Sequence, residues 1–301
     1  MNFLISIPRN MQMKDRIDFA VFILTHGRAN NQLTYKTLRS QGYTGRIILL
    51  VDDEDDQIEE YKKHFDDQVV VFCKQEAIEM TDSGDNFKKR NSVVFARNYN
   101  FVAAKKLGIR YFLQLDDDYT AFRYTFDNYR NYITKQIRIN NLDVVIGSML
   151  KFYIASGAKT IAMTQGGDFI GGEGSKVAKL HKEGKYSRKV MNSFFCDSEK
   201  PFKFCGRLNE DVSLYTEKGY QGCLMITVPR IRLEQKETQK DSGGNQDVYK
   251  DLGTYVKSFY SIMYSPSCVS ITMMGVTNKR IHHQVKWKNA CPMVLSESVK
   301  K

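Results

Sequence analysis

The sequence predicts an α/β protein: a Rossmann-like, mostly parallel central sheet with helices on both faces, followed by a C-terminal extension. Three observations carry this expectation. Short apolar runs alternate with helical stretches through the first 118 residues, at the spacing of strand–helix–strand units. The apolar run from Tyr111 to Leu115 ends abruptly in three carboxylates, Asp116, Asp117 and Asp118, which belong where a strand leaves the core rather than inside it. With 301 residues, of which 42% are apolar and 12% aromatic, the chain can bury a sizeable core. No internal repeat, Pro-rich linker or low-complexity segment divides it, so one continuous domain over 1–301 is expected.

Taken in order, Asp18 to Leu24 reads as the first strand, Thr25-His-Gly-Arg28 as a loop, and Ala29 to Gln41 as a helix stopped by Gly42. Arg46 to Val51 is the second strand, closed by the acidic run Asp52 to Asp56. Gln57 to Phe65 reads as a helix, Val69 to Cys73 as a third strand, and Thr81 to Lys89 as a polar, mobile connection. Ser92 to Leu107 has the pattern of an amphipathic helix that leads through Gly108 into the Tyr111 strand. Beyond Asp118, Tyr129 to Gly157 reads as largely helical and Thr160 to Thr164 as a short strand. Asn209 to Gly219 is a helix with Asn209 as its N-cap. Gly222 to Val228 and Ile231 to Glu237 form a strand pair broken at Pro229. A helix (Gln246 to Met263), a strand (Val269 to Met274) and a basic strand (Lys279 to Lys288) complete the chain.

The net charge is +11, although Asp52 to Asp67 holds nine acids against two lysines. The excess elsewhere suits polyanions, or simply solubility. Six cysteines without C-x-x-C spacing argue against zinc and fit a reducing compartment. Met1 to Pro8 does not form a signal peptide and no apolar run is long enough to span a membrane. A cytoplasmic protein without membrane association is expected.

No G-x-G-x-x-G or G-x-x-x-x-G-K-[ST] is present, which excludes the usual dinucleotide and P-loop sites. Asp116 and Asp118 form either a solvated acidic turn or a pair of oxygen ligands suited to Mg²⁺ or Mn²⁺. Gly166-Gly-Asp-Phe-Ile-Gly-Gly172 is either a plain loop or a close backbone approach to a ligand. Ser175 to Arg207 holds nine Lys or Arg against three acids, interleaved with Tyr186, Phe194, Phe195, Phe202 and Phe204. That pattern suits phosphate contact with base stacking, or a basic flap over its own core. Glu210 and Asp211 occupy a helix first turn, where capping and catalysis are both consistent. His282 and His283 are surface residues or late metal ligands. Two aspartates holding a metal at a diphosphate, with a separate carboxylate to take a hydroxyl proton, are what sugar transfer from a nucleotide diphosphate needs.

In this order, Thr25-His-Gly-Arg28, Val51-Asp-Asp53, Ala96-Arg-Asn98, Leu115-Asp-Asp-Asp118, Asn209-Glu-Asp211 and a C-terminal His resemble the GT-A glycosyltransferases across roughly residues 15 to 290. Thr-His-Gly-Arg, Leu-Asp-Asp-Asp and Asn-Glu-Asp-Val-Ser-Leu-Tyr resemble, more narrowly, the TET/JBP-associated glycosyltransferases of phages and eukaryotes. The resemblance implies a nucleotide-sugar-binding half (15–118) and an acceptor-binding half (119–290). It implies that Thr25 and Arg28 line a uracil pocket, that Asp52 or Asp53 meets the nucleoside, and that Arg97 and Asn98 hold base or ribose. Asp116, with Asp117 beside it, would approach the ribose or metal. Asp118 would ligate Mn²⁺ or Mg²⁺, and His282 or His283 would be a later ligand. Asp211, with Glu210 second, would be the general base of an inverting displacement. The implied reaction moves an arabinose- or glucose-type sugar from a UDP-sugar to 5-hydroxymethylcytosine in phage DNA. Such a base would be flipped from the duplex. The basic-aromatic segment 175–207 is not a motif of the family; its own charge and aromatics suit contact with that double-stranded DNA. A protein or glycan acceptor is the alternative. A metal-dependent nuclease or nucleotidyltransferase would leave Thr25 to Arg28 and Glu210-Asp211 unused.

Overall fold

The computed structural model describes residues 12–236, 248–249, 253–275, 279–290 and 297. Its first sheet has the order β3-β2-β1-β4-β8. It is built from β1 (Phe19–Leu24), β2 (Ile47–Asp52), β3 (Val69–Phe72), β4 (Tyr111–Asp116) and β8 (Ser193–Asp197). The first four are parallel, and β8 closes the sheet antiparallel to β4. Every residue of β1 and β2 is buried, as expected of interior parallel strands covered on both faces. Alternation sorts β1 into two cores. Phe19, Val21 and Ile23 pack with Leu38 and Ile146, whereas Ala20, Phe22 and Leu24 pack with Val94, Phe101 and Phe112.

The connecting helices are α1 (Leu33–Ser40), α2 (Ile58–Phe65), α3 (Lys74–Glu79) and α4 (Val93–Lys106). The four parallel strands and α2 lie where the sequence places them, whereas β8 has no counterpart in the expectation. Helix α1 begins later than expected because residues 29–32 form the turn that carries Arg28. Helix α3 has no counterpart in the expectation; the Asp53 carboxylate accepts the Lys74 N–H at 2.9 Å and starts it. Helix α4 is not amphipathic: it buries Val94, Phe95, Arg97, Asn98, Tyr99, Asn100, Phe101, Ala103 and Ala104. Two of its buried polar residues, Arg97 and Asn98, bond partners within the protein rather than water.

The expected helix over 129–157 is overturned in its first part. Residues 119–138 form a hairpin of β5 (Tyr119–Phe126) and β6 (Tyr132–Arg138), and only then does α5 (Leu142–Ser156) begin. Aromatic and β-branched residues favour strand here, and Asp127 turns the hairpin by accepting the N–H groups of Tyr129 and Asn131, each at 2.8 Å. The break at Pro229 is also absent. Strand β9 (Met225–Gln235) runs through it, and the disruption appears instead as a register shift against β7 (Thr160–Gln165) between Met163 and Thr164. Together β6-β5-β9-β7 form a second sheet.

The Phe side chains of the 175–207 segment are core, not a stacking platform. Phe194 and Phe195 lie on β8, and Phe202 and Phe204 pack beside them; all four are buried, while Tyr186 is exposed. Helix α6 (Lys176–Lys182) precedes them. The Thr81–Lys89 connection is strapped down. Arg207, itself buried, donates to Asp85 at 2.8 and 3.0 Å and to the carbonyls of Phe87 and Lys89.

Helix α7 (Glu210–Tyr220) follows, then α8 (Val256–Tyr264) and a separate ribbon of β10 (Val269–Met274) and β11 (Arg280–Val285), ending in α9 (Trp287–Ala290). Of the helix expected over 246–263, positions 246–247 and 250–252 lie outside the described residues, as do Cys291 and Met1 to Pro8.

Candidate active site

Parallel pairing brings the carboxyl ends of β1, β2 and β4 to one edge, with Leu24 opposite both Leu50 and Asp116. The residues that follow each strand therefore meet in the crevice where open α/β sheets bind ligands. A cleft of ≈ 230 Å³ lies there, lined at one end by His26, Asp52, Phe72 and Lys74 and at the other by Asp116, Asp118 and Gln235.

The aspartate triplet is the junction between the two sheets, since β4 ends and β5 begins on either side of it. Thr34 of α1 fixes its backbone: the hydroxyl donates to the Asp116 carbonyl at 2.6 Å and accepts the Tyr119 N–H at 2.9 Å. The three side chains then diverge. Asp117 turns inward, where it accepts from Thr25 Oγ1 at 2.7 Å and from Arg28 Nη1. Thr25 is further engaged by Tyr61 and Gln32, at 3.0 and 2.7 Å. Thr25 and Asp117 thus brace the strand-one loop, with Arg28 presented at its edge.

Asp118 accepts from Gln235 Nε2 at 2.9 Å, while its Oδ1 is buried with no hydrogen-bond partner among the described residues. Burial, and then the like charge of Asp116, push the Asp118 carboxyl up to about 7. A divalent cation would satisfy the orphaned oxygen and cancel that repulsion, so Asp116 and Asp118 fit a hard-cation site. Among the described residues no group of three His, Cys, Asp or Glu converges on one point. The protein therefore offers a hard cation two carboxylates here, a number Mg²⁺-type sites commonly complete with substrate phosphates and water.

His282 and His283 are not brought into one group with these aspartates. Their rings stack 4.4 Å apart on β11, and Nδ1 of His283 lies 3.2 Å from Asn209 Nδ2. Burial, then His282 and the nearby Lys257 and Lys189, lower His283 to about 4. This places His283 at the start of α7, beside the Glu210–Asp211 pair.

Asn209 is not a side-chain cap. Its backbone is left-handed, at φ 55°, and its amide instead donates to Lys257 O and Ser261 Oγ at 3.0 and 3.1 Å. Asparagine is among the few residues that tolerate this conformation. The turn delivers Glu210 and Asp211 into the protein, where both are buried. Arg97, fully buried on α4, donates from Nε to Glu210 at 2.9 Å and from Nη2 to Asp116 at 2.9 Å. Its guanidinium also lies 5.2 Å from the Phe194 ring centroid. Arg97 thus holds two acids rather than a base or ribose directly. Burial raises both the Glu210 and the Asp211 carboxyls, and Arg97 opposes it in each. Asp211 differs from Glu210 in having no ion-pair partner among the described residues, where Oδ1 accepts the Val212 N–H at 2.7 Å.

Asn98, expected beside base or ribose, points elsewhere. It exchanges hydrogen bonds with the Phe204 backbone at 2.8 and 2.9 Å and faces a separate cleft beside the amino end of β4. Asp53 is exposed and starts α3. Asp52 is buried with both oxygens engaged, Oδ2 to His26 Nδ1 at 2.7 Å and Oδ1 to Lys74 Nζ at 3.0 Å. Sequence reasoning did not single out His26, Lys74 or Gln235. The signal available for His26 was its place inside the Thr25–Arg28 loop. Lys74 and Gln235 are brought in by tertiary contact alone.

A mostly parallel α/β sheet with an Asp-x-Asp at the end of its fourth strand, and a carboxylate helix tied to it by one arginine, is the arrangement expected of a GT-A glycosyltransferase. The model of the TET-Associated Glycosyltransferase family matches residues 19–244, and the chain belongs to that family. Among solved structures, it is similar to glucosyl-3-phosphoglycerate synthase from Mycobacterium tuberculosis in complex with Mg²⁺ and UDP. That match has 12% identity and a TM-score of 0.45, and covers 90% of this chain and 89% of that one. It is also similar to S. aureus TarS 1–349 in complex with UDP-GlcNAc, at 12% identity and a TM-score of 0.41, covering 82% and 67%. No curated protein matches the chain significantly. No helix of the described residues is long and apolar enough to cross a membrane.

Proposed function

We propose that the protein transfers a sugar from a UDP-sugar to the hydroxyl of 5-hydroxymethylcytosine in double-stranded DNA, with inversion and with Mn²⁺ or Mg²⁺ bound at Asp116 and Asp118. The observation that carries the reading is the division between two kinds of carboxylate. Asp118 has a buried oxygen at the cleft with no hydrogen-bond partner among the described residues, whereas Asp211, next in the chain to the Glu210 that Arg97 ties to Asp116, carries no ion pair among the described residues. The metal, when bound, would neutralise the diphosphate leaving group. Asp211 takes the proton of the attacking hydroxyl as its oxygen bonds to the anomeric carbon, and the bond to the UDP oxygen breaks. Arg97 holds Glu210 as its counter-ion, which leaves Asp211 to act as base.

The acceptor assignment is supported by charge. Lys176, Lys179, Lys182, Lys185, Arg188, Lys200 and Lys203 of the basic segment are all exposed, as contact with phosphates requires. Burial of the Phe side chains removes base stacking by them from this reading and leaves an electrostatic contact. The deciding experiment is mass spectrometry of hydroxymethylcytosine DNA incubated with enzyme, Mn²⁺ and a panel of UDP-sugars. Wild type is expected to add one sugar mass, and Asp118→Ala none. Metal-dependent UDP release without any DNA product would instead assign a protein or glycan acceptor.

A further inference from the structure

The end of the cleft away from the aspartates has its own chemistry. From β4 to β3 the carboxyl edge crosses three strand spacings, about 14 Å, which is comparable to an extended nucleoside diphosphate. With the diphosphate at Asp116 and Asp118, the base falls near Phe72, Asp52, His26 and Lys74. Asp52 is not free to meet it, because His26, Lys74 and the Glu54 N–H occupy its oxygens. The side chain presented to the cleft is His26, which is about half exposed, at 48%. Its Nδ1 must carry a proton to bond the Asp52 carboxylate, which leaves Nε2 with no hydrogen-bond partner among the described residues.

We infer that His26, locked by Asp52, reads the 4-position of the donor's pyrimidine and selects uracil over cytosine. This rests on the UDP-sugar reading. When charged, His26 presents only an N–H at Nε2. The 4-carbonyl of uracil accepts it, whereas the 4-amino group of cytosine sets donor against donor. The 2-carbonyl is common to both bases and cannot discriminate. The charged groups facing His26 are Asp52, Asp55 at 3.6 Å and Lys74. The bond to Asp52 raises the imidazole, with Asp55 assisting, while burial and Lys74 oppose. As pH rises and the imidazole loses its proton, Nε2 becomes an acceptor, and the preference for uracil falls.

The test is calorimetric titration of UDP and CDP, with Mn²⁺, into the full-length protein and its His26→Gln and His26→Ala variants. It runs from about pH 5.5 to about pH 8.5, which brackets the ordinary histidine value of 6.5. Wild type is expected to prefer UDP by about tenfold or more at the acid end, the scale of one charged hydrogen bond. The preference should decline with pH and be small and flat in both variants. Equal affinities at every pH, or a preference unchanged in both variants, overturns the assignment. Failure of wild type to bind either nucleotide would bring down the UDP-sugar reading itself. Matched thermal unfolding curves exclude misfolding as the cause.

Discussion

Arg97 donates from Nη2 to Asp116 Oδ1 at 2.9 Å, and the same guanidinium reaches Glu210 across 113 residues of sequence. One buried cation therefore sets the distance between the donor end of the cleft and the first turn of α7. A guanidinium is suited to this because it carries several donors in a fixed plane, which an ammonium does not.

Arg97→Met is expected to lower stability by about 3 kcal/mol or more, because Glu210 and Asp116 are left without their counter-charge. Urea denaturation measures it. Arg97→Lys should recover part of the stability but not the UDP affinity, since one ammonium does not reproduce both contacts. An unchanged denaturation midpoint in Arg97→Met would show that the bridge is not structural.

Asp211→Asn is expected to bind UDP-sugar as wild type does and to reduce transfer by about 10²-fold or more. Glu210→Gln should keep a larger share of transfer and lower stability, because it removes Arg97's partner. The pH profile has a definite sign. Burial raises Asp211 above its ordinary 3.8, and a base works only when deprotonated. Transfer should therefore fall on the acid side with a midpoint above that value. The reverse pattern, with transfer abolished in Glu210→Gln and kept in Asp211→Asn, would exchange the two roles.

The basic segment separates into two experiments. Charge reversal at Lys176, Lys182, Lys200 and Lys203 is expected to weaken duplex DNA binding. It should also flatten the dependence of log affinity on log salt by about 0.9 for each phosphate that is no longer neutralised. Phe204→Ala, by contrast, removes a ring packed 4.9 Å from Phe194 and 5.3 Å from Phe202. It should cost about 3–5 kcal/mol of stability without changing the salt slope. A changed slope with an unchanged unfolding midpoint would return the ring to the DNA surface.

Local sequence is enough to locate the four parallel strands of the first sheet and the carboxylates at their ends, though not β8. A parallel strand buried on both faces reads as a near-continuous apolar run, so Phe19–Leu24, Ile47–Asp52 and Tyr111–Asp116 stand out, and the acids that close the latter two belong at the carboxyl edge. Which acid meets which partner is settled only in three dimensions. Asp116, Asp117 and Asp118 are alike in sequence, yet Arg97, Thr25 with Arg28, and Gln235 divide them into three different environments. The same holds for Phe194 and Phe204, whose neighbours are drawn from helix α4 and strand β4. Local pattern reports how a residue is spaced from its neighbours in the chain. Ion pairing and burial depend on segments more than a hundred residues apart, as Arg97 and Glu210 are, so they could be read only after the sheets had closed.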